Sequence, residues 1–143
     1  MRNIDLTNDL DVLFGTIDGE AENQHVQGWI AVGWSIKNRV ALSSVHPHFG
    51  DGTIKGACLA HAQYDCWMPG ADHDRIMAID LDNLNQVQQA IMAVAQQIIS
   101  GVTADITLGA TYYFDQSIPA PSWVSGARFC GLFGSQLFWK GVK

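Results

Sequence analysis

A mostly helical α+β domain with a small β-hairpin or sheet lip is the fold class this sequence predicts, on three observations. Apolar residues recur at helical spacing in three long stretches bounded by recognisable caps. One later stretch, residues 106–114, alternates at strand spacing and is rich in β-formers. No repeat, linker or compositional break divides the 143 residues. A single domain spanning 1–143 is therefore expected, long enough to bury roughly two-thirds of its unfolded surface.

Thr7 or Asn8 can cap a first helix whose Leu10, Leu13, Phe14 and Ile17 follow the helical repeat, ending near Gly19. A second helix is predicted from about Gln24 to Leu42, with Val26, Trp29, Ile30, Gly33, Ile36, Lys37 and Val40 along one side. The small Ala31 and Gly33 suit close packing against a neighbouring helix. Residues 43–52, punctuated by Pro47, Gly50 and Gly52, read as a loop. A short helix over 53–63 follows, then an irregular loop over 64–74 around Pro69 and Gly70. Asp82 is the predicted cap of a long amphipathic helix carrying Leu84, Val87, Ile91, Val94, Ala95, Ile98 and Ile99, stopped at Gly101. The strand comes next, with Gly109 inside it. The tail, rich in Pro, Gly and aromatics, reads as loop with at most one short terminal element.

Composition removes several classes of function. Apolar residues make up 48% and charged residues 15%, so the chain is built to pack rather than to stay disordered. The net charge is −6 and the few basic residues do not cluster. A phosphate backbone needs a basic stripe, so nucleic acid is not an expected partner. The longest apolar run is far short of the ~20 residues that cross a bilayer, and no membrane insertion is expected. Residues 1–10 are polar and acidic, unlike a secretory signal.

Cys58, Cys66 and Cys130 are odd in number and lack CxxC spacing, which predicts reduced, mostly buried thiols rather than a disulfide framework or structural zinc. Of the histidines, neither the His46 and His48 pair nor His61 with Asp65 matches a metal-ligand helix. No metal or cofactor is expected. A Gly-x-Ser-x-Gly elbow does not occur, and Cys66 has no local partner for nucleophilic chemistry.

In a chain this poor in charge, Glu20 stands out. It lies where one apolar helix ends and another is about to begin, a place where a carboxylate can be half-buried and its pKa raised. Asp18 and Glu22 flank it at a spacing of two, so the three do not share a helix face. The bland reading of this segment is a solvated acidic turn. Five tryptophans weigh against it, because Trp67, Trp123 and Trp139 fall in loop or terminal segments. Flat aromatic faces there suit sugar rings.

In order along the chain, Gly19-Glu20-Ala21, Asn38-Arg39-Val40, Gln63-Tyr64-Asp65-Cys66-Trp67, Gly109-Ala110-Thr111-Tyr112-Tyr113 and Pro121-Ser122-Trp123 resemble the motifs of the SleB-type cell wall hydrolases. That family comprises spore cortex-lytic enzymes and phage endolysins. The resemblance covers nearly the whole chain. It departs at Glu22, where the family has Arg, at Tyr112, where it has His, and at Gln136, where a late Gly-x-His-x-Phe has its His. These departures bear on substrate subsites more than on the acid.

The resemblance implies a lysozyme-like catalytic domain acting on peptidoglycan glycan strands at the β-1,4 bond between N-acetylmuramic acid and N-acetylglucosamine. Glu20 would be the acid, its pKa raised by apolar surroundings such as Phe14, Ile17 and Trp67. Ordinary glycosidases pair such an acid with a second carboxylate. Asp65, then Asp18, are the candidates here, and neither is marked with comparable specificity. Lytic transglycosylation, with Glu20 as acid and then base, is therefore the first reading. A hydrolytic muramidase is the second, and a non-catalytic glycan-binding or virion protein on the same fold is the third. Gln63, Tyr64, Trp67, Thr111, Tyr113 and Trp123 are placed around the glycan. The expected setting is a monomeric endolysin in the host bacterial cytoplasm, reaching the wall after holin-type release.

Overall fold

In the computed structural model, which describes residues 1–143, five α-helices pack beside a three-stranded antiparallel sheet. Helix α1 (Asp9–Ala21) is central and meets α2 (His25–Leu42), α3 (Ile54–Leu59), α4 (Ala71–Met77) and α5 (Gln86–Ser100). Being surrounded, it buries Asp11 through Asp18 on every face, with Phe14 and Ile17 fully enclosed. Asn8 is the cap: its side-chain oxygen accepts from the Asp11 amide at 2.9 Å, while the Thr7 hydroxyl donates to Asp5. The helix runs through Gly19 to Ala21, because Gly19 does not take the left-handed conformation that ends a helix. Glu20 therefore sits on the last turn of α1.

A 3-10 turn at Glu22–Gln24 redirects the chain into α2. Between α1 and α5, α2 buries a wide face that includes Trp29, Val32, Ile36 and Arg39, while the predicted Val26 is exposed. Gly33 is the close-approach point expected of it. A side chain there would collide with Ile98 of α5.

Three boundaries are corrected. Helix α3, capped by Thr53, ends at Leu59 because Ala60 turns extended and Ala62 is left-handed. The predicted loop over 64–74 holds a 3-10 turn at Asp65–Trp67 and the start of α4, whose first-turn Asp72 and Asp74 favour a helix N-terminus. Helix α5 is capped by Asn85, not Asp82: Asn85 and Gln88 form a reciprocal capping box. Gly101 closes it in the left-handed conformation, as expected.

The sheet also differs from the prediction. Strand β1 covers only Tyr112–Asp115, because Asp105 folds residues 105–109 into a turn by accepting from the Thr107 and Gly109 amides. The tail is not loop. It forms β2 (Arg128–Phe133) and β3 (Gln136–Lys140), joined by the two-residue Gly134-Ser135 turn, in the order β1-β3-β2. Gln24 accepts from the Ser135 amide at 2.7 Å, so the turn after α1 holds the hairpin in place.

Candidate active site

Two elements converge on Glu20. From one side comes the Asp65–Trp67 turn, which packs against Gly19. A Cβ at Gly19 would lie 2.5 Å from both Cys66 Cβ and Ile76 Cδ1, so only glycine admits the turn this closely. At that approach the Cys66 amide donates to Glu20 Oε2 at 3.3 Å. From the other side comes β1, whose Tyr113 hydroxyl donates to Glu20 Oε1 at 3.1 Å. Strand β1 is set by α2, where Arg39 Nε donates to the Thr111 carbonyl at 2.7 Å and Asn38 Nδ2 to the Ala110 carbonyl at 3.0 Å.

Burial pushes the Glu20 carboxyl above its ordinary value of 4.5, and the hydrogen bonds from Tyr113 and Cys66 only partly hold it down. The nearby negative charge of Asp65 pushes it up further. The result is a carboxyl with a raised pKa that is half-buried and still faces open space. That space is a groove of about 310 Å³ walled by Tyr64, Tyr112, Tyr113 and Trp123, with Gln63, Asp65 and Arg39 supplying its polar groups. Glu20 also borders a second hollow, of about 290 Å³, on the side of Asp18, Glu22, Asp72 and Arg75.

Of the residues placed around the site from sequence, Gln63, Tyr64, Asp65, Tyr113 and Trp123 line the groove with Glu20. Three do not: Trp67, Thr111 and Asp18. Trp67 turns away from its neighbour Cys66, donating to Thr16 Oγ1 at 2.9 Å and packing over Gly15. Thr111 is buried and meets the groove only through the carbonyl that fixes Arg39. Asp18 is 1% exposed and accepts from Arg75 Nη1 at 2.7 Å, on the far side from the groove. Asp65 is exposed within the groove itself.

Two residues of the groove were missed. Arg39, within Asn38-Arg39-Val40, continues the buried stripe of Val32 and Ile36, and a cation in an apolar stripe is a signal in itself. Tyr112 stands in the sequence only as a departure from the family motif. It lies against the Arg39 guanidinium at 4.6 Å and its hydroxyl is 3.1 Å from His48 Nε2. The cysteines give no nucleophile. Burial pushes the Cys58 thiol up to about 12, and that of Cys66 upward as well, so neither supplies a thiolate.

A family model described as Cell Wall Hydrolase matches residues 23–139, a stretch that begins just after Glu20. Two solved structures are similar throughout. One is the catalytic domain of the germination-specific lytic transglycosylase SleB from Bacillus anthracis, 21% identical over 98% of this chain and 100% of that one, with a TM-score of 0.70. The other is the catalytic domain of the Bacillus cereus SleB protein, 21% identical over 94% and 91%, with a TM-score of 0.71. These likenesses show a shared fold. No curated protein matches the chain.

Proposed function

The chain belongs to the cell wall hydrolase family, and from that premise we propose that its groove takes peptidoglycan glycan strands and cleaves them at the β-1,4 bond after N-acetylmuramic acid. The observation that carries this reading is Glu20: a carboxyl whose pKa is raised by burial, fixed by two donors, and open to an aromatic-walled groove.

In the reaction proposed, Glu20 gives its proton to the glycosidic oxygen as the bond from that oxygen to C1 breaks. The muramyl C6 hydroxyl then bonds to C1 and returns its proton to Glu20, leaving a 1,6-anhydro ring. No water is consumed and Glu20 ends as it began. Tyr113 and the Cys66 amide support the step by steadying the carboxylate that exists between the two transfers. Arg75 already occupies Asp18, which supports a one-carboxylate scheme. Asp65, exposed in the same groove, favours a second reading in which it directs a water and the enzyme is a muramidase.

Incubation with purified sacculi tests the proposal. The wild type should clear the suspension and release soluble muropeptides, and Glu20→Gln should not. Retention on sacculi without release by either protein would contradict it and support a binding module. We place the activity in a phage endolysin. No helix is long and apolar enough to cross a membrane, and expression in a bacterial cytoplasm should lyse cells only when a pore-forming protein is co-expressed.

A further inference from the structure

Resting on the glycan reading above, we propose that Arg39 sets the specificity of the groove and that its ligand is a carboxylate carried by the glycan strand. Arg39 is 5% exposed and takes part in no ion pair of the protein. Its partners are neutral. Nε donates to the Thr111 carbonyl and Nη1 to Gln63 Oε1, both at 2.7 Å. Phe49, Tyr64 and Tyr112 surround the guanidinium at 4.8, 5.3 and 4.6 Å from its carbon to their ring centres.

An arginine keeps its charge at any ordinary pH, and burying a charge without an opposite partner is costly. Here the protein fixes the plane of the guanidinium and leaves the charge itself uncompensated. Nη2 makes no hydrogen bond within the protein. It is also not among the enclosed polar atoms left without a partner, which belong to Asp18, Tyr64, Gln136 and Trp139. Its N–H groups therefore open onto the groove that Arg39 lines.

The acids of the groove do not neutralise it. Glu20 is engaged by Tyr113 and the Cys66 amide, and neither Glu20 nor Asp65 forms an ion pair with Arg39. In a chain of net charge −6, Arg39 is a preformed cationic point in the same groove as the reacting carboxyl. Two acids of the substrate have the chemistry to meet it: the lactyl carboxylate of muramic acid where the peptide is missing, and a carboxylate of the stem peptide where it is present.

Calorimetric binding on the Glu20→Gln background, which prevents turnover, tests this. The probes are peptide-stripped glycan strands, the same strands with their carboxylates converted to methylamides, and peptide-bearing strands. Stripped or peptide-bearing acid strands should bind about tenfold tighter than the methylamides, the size of one charge-assisted hydrogen bond. The preference should collapse toward one in Arg39→Gln. It should also collapse in Gln63→Glu, which gives Nη1 an internal carboxylate at the cost of only the exposed bond from Gln63 Nε2 to the His61 carbonyl. Tighter binding of stripped strands assigns the lactyl acid, and tighter binding of peptide-bearing strands assigns a stem-peptide acid. Equal binding of acid and methylamide strands, or a preference that survives Gln63→Glu, overturns the inference and leaves the glycan reading standing. Absence of binding to every strand overturns both.

Discussion

The acid role proposed for Glu20 requires a carboxyl that holds its proton to higher pH than usual, and burial at the end of α1 raises its pKa above 4.5, in that direction. The same burial opposes folding. A carboxyl whose folded pKa lies above its unfolded one loses stability as pH rises through the folded value. Glu20→Gln should therefore be more stable than the wild type at neutral pH, by on the order of 1 kcal/mol. The gain should vanish at about pH 4, where the unfolded carboxyl is itself protonated. Thermal unfolding at the two pH values checks this, and an equal gain at both would contradict it. Tyr113→Phe removes a donor that favours the charged form. The alkaline limb of the pH–rate profile should move to higher pH, with the maximum rate within about tenfold of the wild type. A limb that stays in place would separate Tyr113 from the acid. Glu20 was legible because the chain has so few charges. Arg39 shows in the sequence only as a cation in an apolar stripe, and Tyr112 only as a departure from the family motif, since their place in the groove depends on α2 meeting the segment that enters β1, 72 residues on.

The elements that hold Glu20 depend on two contacts that composition hides. Gly19 looks like a helix stop and is instead the seat of the Asp65–Trp67 turn. Gly19→Ala should push that turn away from α1, costing about 1–3 kcal/mol as overpacking does. It should also lower the rate of fragment release, because the Cys66 amide leaves Glu20. Unchanged stability and rate would contradict this packing. On the other side, Arg75 of α4 holds the buried Asp18 and approaches Glu22 at 3.4 Å, clamping the last turn of α1. Arg75→Ala should destabilise the fold by on the order of 2 kcal/mol at neutral pH. That loss should shrink in acid, as Asp18, already raised by burial, takes up a proton. Asp18→Asn in the same chain should restore most of it, as denaturant unfolding can show. The long helices were legible from their apolar spacing and from Gly101. The β2–β3 hairpin is masked in the sequence: Gly134-Ser135 between two β-rich runs is a hairpin signal, but the glycines and aromatics around it make the tail resemble loop. The cap of α5 was placed three residues early because Asp82 and Asn85 are both good caps, and only Asn85 has a Gln three residues on.

Across the whole molecule, a helical body carries Glu20 and a small sheet closes over it. Gln24, Asn38 and Arg39 fasten the one to the other through the hairpin turn and the segment entering β1. The fold class followed from periodicity alone, but the groove is a product of this docking and has no signature in any single segment. The net charge of −6 sets the approach to an anionic wall. The rate on intact sacculi should rise from low to moderate salt, as repulsion is screened, and fall at no point in that range. The most direct test of the account is mass spectrometry of the products released from peptidoglycan by the wild type and by Glu20→Gln. Anhydromuramyl ends from the wild type alone are the predicted result. Reducing muramic acid ends, or equal release by Glu20→Gln, would contradict a single carboxyl acting as acid and then base.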